Sequence, residues 1–127
     1  MLIRFGVKNH LSIRDYQELS CVASPLQEDL NHLFEIKSES FKDKKFLPVI
    51  ALYGANAAGK SNLLNAFLFF NRAIVKSYSH WEELKSLPHP HFALDTKSQG
   101  EASSYECDVL IDAVRYQYGF SLNKETI

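Results

Sequence analysis

Ile3, Phe5 and Val7 alternate with Arg4, Gly6 and Lys8, the two-residue period of a strand with one buried face. After a polar turn around Asn9 to Asp15, Leu19, Cys21 and Ala23 alternate with Glu18, Ser20 and Val22, which predicts an antiparallel return strand. Ser24, Pro25 and Gln27 have the spacing of a helix start and predict a short helix. "LFEIKS" reads as another short strand, and residues 37–45 as a loop. Val49-Ile50-Ala51-Leu52-Tyr53 is continuously apolar, which predicts a central parallel strand covered on both faces. From Lys60 onward Leu63, Phe67, Phe70 and Ile74 recur at helical spacing, and Leu64, Leu68 and Val75 widen the stripe. This predicts a long helix buried on most of its circumference. Ser79 and Glu82 have capping-box spacing and predict a second short helix to Leu87, ended by Pro88 and Pro90. "HPHFALDTKSQGEASS" has no period and reads as a long surface connection. Tyr105, Cys107, Val109 and Ile111, then Val114, Tyr116, Tyr118, Phe120 and Leu122 after a turn at 112 and 113, predict a hairpin with one solvated face. The pattern as a whole gives an α/β class: a mixed sheet, one long helix and a peripheral antiparallel hairpin.

Between the apolar run and the long helix lies "GANAAGKS", residues 54–61, which satisfies G-x-x-x-x-G-K-[ST]. Each residue type has a task if this loop wraps a phosphate with successive backbone N–H groups. Gly54 and Gly59 allow close approach and dihedrals that side chains block, and the following helix N-terminus adds unpaired donors and partial positive charge. Lys60 then reaches the β- and γ-phosphate oxygens, while the Ser61 hydroxyl ligates Mg²⁺. The setting the motif requires, a buried strand before and a helix after, is expected here in residue order.

With 127 residues, 46% of them hydrophobic, the chain can bury one core, and residues 1–127 are expected to form one unit. A formal charge of -1 gives no global reason for a polyanionic partner. The basic stretch Lys42-Asp43-Lys44-Lys45 reads as a solvated loop. Cys21 and Cys107 lack metal-type spacing and read as reduced, half-buried residues of a cytoplasmic protein. No stretch approaches the roughly 18 apolar residues of a membrane span, so no membrane partner is expected. His89 and His91, with His80 nearby, lack a third ligand at workable spacing and read as loop residues.

The strand "IRFGVKNHLSIRD", the strand "QELSCVAS" and then "GANAAGKSNLLNAF" together resemble the start of an ABC-type AAA-family ATPase head. The closest likeness is to the AAA15 group of bacterial ATPases, related to Rad50, SMC and RecF heads, and "YECDVLIDAVRYQYGFSL" resembles the antiparallel pair after their P-loop helix. The resemblance implies ATP and Mg²⁺ as ligands. It implies a nucleotide-binding set of Gly54, Ala55, Asn56, Ala57, Ala58, Gly59, Lys60, Ser61 and Asn62, with Asn56 facing the nucleotide and Ser12 near the phosphates. Two positions depart from the pattern: related heads often carry a glycine where Ala57 stands and a basic residue where Leu11 stands.

Hydrolysis in such heads also needs an apolar run ending in Asp-Glu. The nearest candidate is Asp112 after Val109-Leu110-Ile111, but Ala113 follows it, and a hairpin turn is the preferred reading. No catalytic residue is therefore assigned in this chain, nor is there a Ser-Gly-Gly signature. The expectation is the N-terminal lobe of a longer P-loop ATPase whose intact form sandwiches ATP between two heads as a homodimer. The resemblance further implies DNA maintenance or anti-phage defence with a nucleic acid or nuclease partner. The residues leave open two other functions: a compact kinase or GTPase using Asp112, and a truncated or regulatory interaction module with little or no hydrolysis.

Overall fold

The computed structural model describes residues 1–24, 33–35, 41, 44–77 and 87–125. The short helix read after Ser24, most of the 37–45 loop, and the helix read from Ser79 lie outside the described residues. The chain runs β1 (Leu2–Lys8), β2 (Gln17–Ser20), β3 (Phe34–Glu35), β4 (Lys45–Phe46), α1 (Lys60–Lys76), α2 (Thr96–Gly100), β5 (Ser103–Ile111) and β6 (Val114–Leu122). Four strands form one sheet in the order β2-β1-β5-β6, and β3 pairs with β4 apart from it. Every one of these pairings is antiparallel.

The alternation in β1 and β5 sorts side chains to the two faces of the sheet, as the period of two requires. One face carries Phe5, Val7, Tyr105, Cys107 and Leu122, and α1 packs on it through Ala66 and Phe70. The Phe5 ring meets Phe67 and Phe70 edge-on at 5.1 and 5.6 Å, and Phe70 stacks on Phe120 at 5.6 Å. Between Leu2 and Arg4 the pairing with β5 shifts register. The bulge sends Ile3 to a second cluster with Phe41 and Phe46, away from Phe5 and Val7. On this side Asp108 is buried and held by two guanidiniums, Arg4 Nε at 3.2 Å and Arg115. Tyr16 lies across Gly6, where a Cβ would come within 2.3 Å of its hydroxyl oxygen, and its O–H donates to Glu106 at 2.6 Å. Desolvation, with Glu106 beside it, raises the Tyr16 pKa.

The expected hairpin forms, with Ile111 opposite Val114 and the loop reduced to Asp112 and Ala113. Both have positive φ, 49° and 64°, as in the type I′ turn whose twist matches paired strands. Asp112 is an exposed turn residue.

Three expectations are corrected. The mixed sheet around a central strand at Val49–Tyr53 does not form: the segment joins no described strand, and Val49 and Tyr53 are 77% and 93% exposed. A parallel strand needs a parallel neighbour, and the antiparallel sheet has filled both sides of β1 and β5 with one another and with β2 and β6. The apolar run marks what the segment could bury, not what it pairs with. Secondly, α1 is not buried on most of its circumference: Leu64, Leu68, Ile74 and Val75 are exposed, and its buried residues are Ala66, Phe70 and Ala73. Small Ala66 packs on the sheet beside Phe70 and lets the helix approach it closely. Thirdly, the connection 89–104 contains α2, capped by Asp95, whose carboxylate accepts the Ser98 N–H at 2.6 Å. No helix of the described residues is long and apolar enough to cross a membrane.

Ala113 in the left-handed region carries the Cβ penalty that glycine avoids. Ala113→Gly is expected to stabilise the protein by roughly 0.5–1 kcal/mol, read as an upward shift of the thermal unfolding midpoint.

Candidate functional site

The loop between Tyr53 and α1 turns by backbone conformations that few side chains favour. Ala57 has φ 64° and Gly59 φ 88°, and the Ala58 N–H donates to the Ala55 carbonyl at 3.2 Å. Such left-handed steps turn successive N–H groups toward one side, forming an anion-binding concavity. The departure noted at Ala57 thus falls on a left-handed position, where alanine costs about 1 kcal/mol relative to glycine. Gly59 is the N-cap of α1, with no side-chain cap and no acidic residue in the first turn. The helix start is therefore left with its positive end unneutralised by the chain itself. Lys60 Nζ folds back to donate to the carbonyls of Gly54 at 2.8 Å and Ala55 at 2.7 Å.

The β1–β2 turn forms the wall opposite the loop. Asn62 Nδ2, in the first turn of α1, donates to Ser12 Oγ at 2.7 Å, and a Cβ on Gly59 would lie 3.4 Å from the same oxygen. Ser12 thus stands at the junction of loop and helix. The turn owes its shape to Asn9 and Leu11, both at positive φ, 56° and 50°, a conformation asparagine tolerates well. Asn9 is buried, and its amide is fully used. Oδ1 accepts the Phe92 N–H at 2.8 Å, and Nδ2 donates to the carbonyls of Ser98 and Glu101, each at 2.9 Å. The Asn9 carbonyl accepts the Ser103 hydroxyl. Leu11 adds two backbone bonds, to Pro90 O at 2.9 Å and from Ala93 N at 3.2 Å.

His10 sits behind this turn, buried, with Nδ1 2.8 Å from the Tyr105 hydroxyl and its ring 5.8 Å from Phe69. Its Nε2 has no partner among the described residues. Burial pushes its pKa down to about 4, and burial also raises that of Tyr105. The pair is neutral through the physiological range.

Loop and turn enclose a cleft of about 590 Å³, a size that suits a small ligand. Ala57, Ala58, Gly59 and Lys60 line one end, Ser12, Arg14, Asp15, Gln17 and Glu18 come from the β1–β2 side, and Leu52, Tyr53, Leu63 and Phe92 complete it. Of the residues singled out in the sequence, Ser12, Ala57, Ala58, Gly59 and Lys60 meet here. Gly54, Ala55, Asn56, Ser61 and Asn62 flank them in loop and helix without lining the cleft. The donor set, backbone N–H groups at a helix start beside a lysine, fits a phosphate, and Ser61 in the first turn of α1 is an oxygen ligand suited to Mg²⁺. Lys60 must then exchange its two loop carbonyls for phosphate oxygens.

Sequence reasoning missed Asn9, Arg14 and Phe92. Phe92 carried one signal, an aromatic residue in an otherwise aperiodic polar stretch. Phe69 packs against Tyr105 at 5.2 Å. His89 and His91 lie with rings 5.1 Å apart, and no group of three metal-ligating side chains occurs among the described residues. Lys45 pairs with Glu35 at 3.4 Å. Cys21 and Cys107 are free thiols, and burial raises the pKa of each.

Residues 49–127 match a family model described as "AAA domain, putative AbiEii toxin, Type IV TA system". The match takes in the loop, α1 and the β5–β6 hairpin, while β1 and β2 lie before it. No curated protein and no solved structure matches the chain.

Asn9→Ala strands one donor and two acceptors and places alanine at positive φ; we expect a loss of roughly 3–5 kcal/mol, measured by urea denaturation. His10 predicts a pH effect of definite sign. Above its unfolded pKa of 6.5 neither state binds the proton, whereas below it the unfolded chain does and the folded one does not. Stability therefore falls as pH drops from about 6.5 to about 4, by up to about 3 kcal/mol in total. His10→Gln should remove that part of the pH dependence of the unfolding free energy.

Proposed function

The chain belongs to this AAA-domain family, a nucleotide-binding, ATPase-like assignment, and on that premise we propose that it binds Mg²⁺-ATP through residues 54–61 as its phosphate loop. The observation that carries this is the placement of the Lys60 ammonium across the Gly54 and Ala55 carbonyls, at the head of a helix capped by left-handed Gly59. A cation so placed needs only to leave two neutral acceptors to reach a phosphate, with little reorganisation of the loop. Lys60 then binds the β- and γ-phosphate oxygens, and the backbone N–H groups of Ala57 to Ser61 surround the β-phosphate. The Ser61 hydroxyl serves as a metal ligand. The bound Mg²⁺ supplies charge neutralisation on the phosphates. Ser12, fixed by Asn62, adds a hydroxyl donor from the opposite wall.

In the finer reading this is the N-terminal lobe of an ABC-type head that works with a second head as a homodimer. Its place would be in bacterial DNA maintenance or defence, with a nucleic acid or nuclease partner. The resemblance of the strand, loop and hairpin segments supports it. So do the exposed apolar side chains Val49, Leu52, Tyr53, Leu64, Leu68 and Val75, which suit coverage by further protein. The same side chains favour the second reading, an interaction module in which docking outlasts nucleotide turnover.

Titration with a fluorescent ATP analogue, with and without Mg²⁺, tests the phosphate loop. Binding should depend on Mg²⁺ and weaken at least about tenfold in Lys60→Ala, since a charge-assisted contact to phosphate is worth roughly 1.5–3 kcal/mol. Equal binding by the variant, or none by the folded wild type, would sink the phosphate-loop reading and leave the interaction module.

A further inference from the structure

The phosphate-binding end accounts for only part of the cleft. Leu63, Arg14 and Phe92 line the same cleft of about 590 Å³ as Gly59 and Lys60, which is more room than a phosphate group needs. Phe92 is the unexplained residue of this region. It is half-buried, yet it belongs to neither hydrophobic cluster of the described residues. Its ring is therefore not part of the core that the described residues form. Its backbone is nonetheless fixed on both sides: the Phe92 N–H is held by buried Asn9, and the Ala93 N–H by the Leu11 carbonyl. A partly exposed aromatic ring on a clamped backbone, within the cleft that holds the phosphate loop, is a preorganised stacking surface.

Resting on the phosphate-loop reading, we infer that Phe92 is the platform on which the nucleobase stacks, so the cleft takes a nucleoside triphosphate rather than a bare polyphosphate. The base lies on Phe92 while the phosphates lie at Lys60. Tyr53 also lines the cleft but is almost wholly exposed. Its side chain stands in solvent, whereas Phe92 is half-buried on an anchored backbone, and Phe92 is therefore assigned the base. Stacking by one ring tolerates every base because each has a π-face, so it holds the ligand without selecting adenine over guanine.

The test compares Mg²⁺-ATP with Mg²⁺-tripolyphosphate, each displacing a fluorescent ATP analogue from the wild type and from Phe92→Ala, Phe92→Tyr, Tyr53→Ala and Lys60→Ala. Phe92→Ala is expected to weaken ATP by about 5- to 100-fold and to leave tripolyphosphate unchanged, while Phe92→Tyr stays close to wild type for both. A loss of equal size for both ligands would show that Phe92 only shapes the wall, and an ATP-selective loss in Tyr53→Ala alone would move the base to Tyr53; either overturns the proposal. Lys60→Ala keeps the two readings apart, because it should weaken both ligands. If it weakens neither, the phosphate loop fails and this inference fails with it.

Discussion

One buried amide organises the region where chemistry is proposed. Asn9 ends β1 in a left-handed conformation, and its side chain satisfies one N–H and two carbonyls from residues 92–101. A buried backbone group without a partner is expensive, so a segment lacking its own regular structure can stay inside only where something else completes its hydrogen bonds. Asn9 does this for the connection between α1 and β5. Together with the Leu11 backbone bonds to Pro90 and Ala93, it holds Phe92 beside Ser12 and the loop, and the cleft exists because two stretches about 80 residues apart are tied there.

The sheet beneath the site is built for rigidity on one face and charge on the other. Toward α1 lie aromatic rings in edge-on and stacked contact, each fully buried ring contributing on the order of 1.5–3 kcal/mol. On the opposite face Asp108 is enclosed by Arg4 and Arg115, and Arg4 reaches Glu18 at 2.9 Å and Glu106 at 3.4 Å as well. The carboxylates raise the Arg4 pKa further above its ordinary value, the hydrogen bond that Arg4 donates to Glu18 most of all. A buried carboxylate between two guanidiniums fixes the register of β1 against β5 more than it adds net stability, because desolvation offsets much of the attraction. That register sets where Asn9, and so the cleft wall, begins.

The loop itself is balanced rather than locked. Lys60 is satisfied by carbonyls of its own loop, and α1 begins without a capping side chain or an acidic neighbour. Both features leave donors for an anion and spare the loop a large rearrangement on binding. Leu52 and Tyr53, which line the cleft, and Leu64, Leu68 and Val75 on α1 are apolar side chains left exposed among the described residues.

What the sequence by itself determined is local and periodic. The alternation in β1, β5 and β6 fixed those strands, the adjacent Asp112 and Ala113 marked the turn between them, and the 3.6-residue stripe fixed α1. The spacing Gly54, Gly59, Lys60, Ser61 marked the candidate phosphate loop, because those residue types act through backbone freedom and charge within a few positions of one another. Tertiary structure alone decided the rest. Periodicity reports that a side chain has an apolar neighbour but not which one, so it could not tell that Val49–Tyr53 finds no parallel partner among the described residues, that Ile3 is turned away from Phe5 by a bulge, or that Ala66 and Phe70, not Leu64 and Leu68, pack on the sheet. Asn9 and Phe92 were illegible for the same reason: their meaning lies in hydrogen bonds and a cleft shared with residues far along the chain, and no local pattern encodes a partner at that distance.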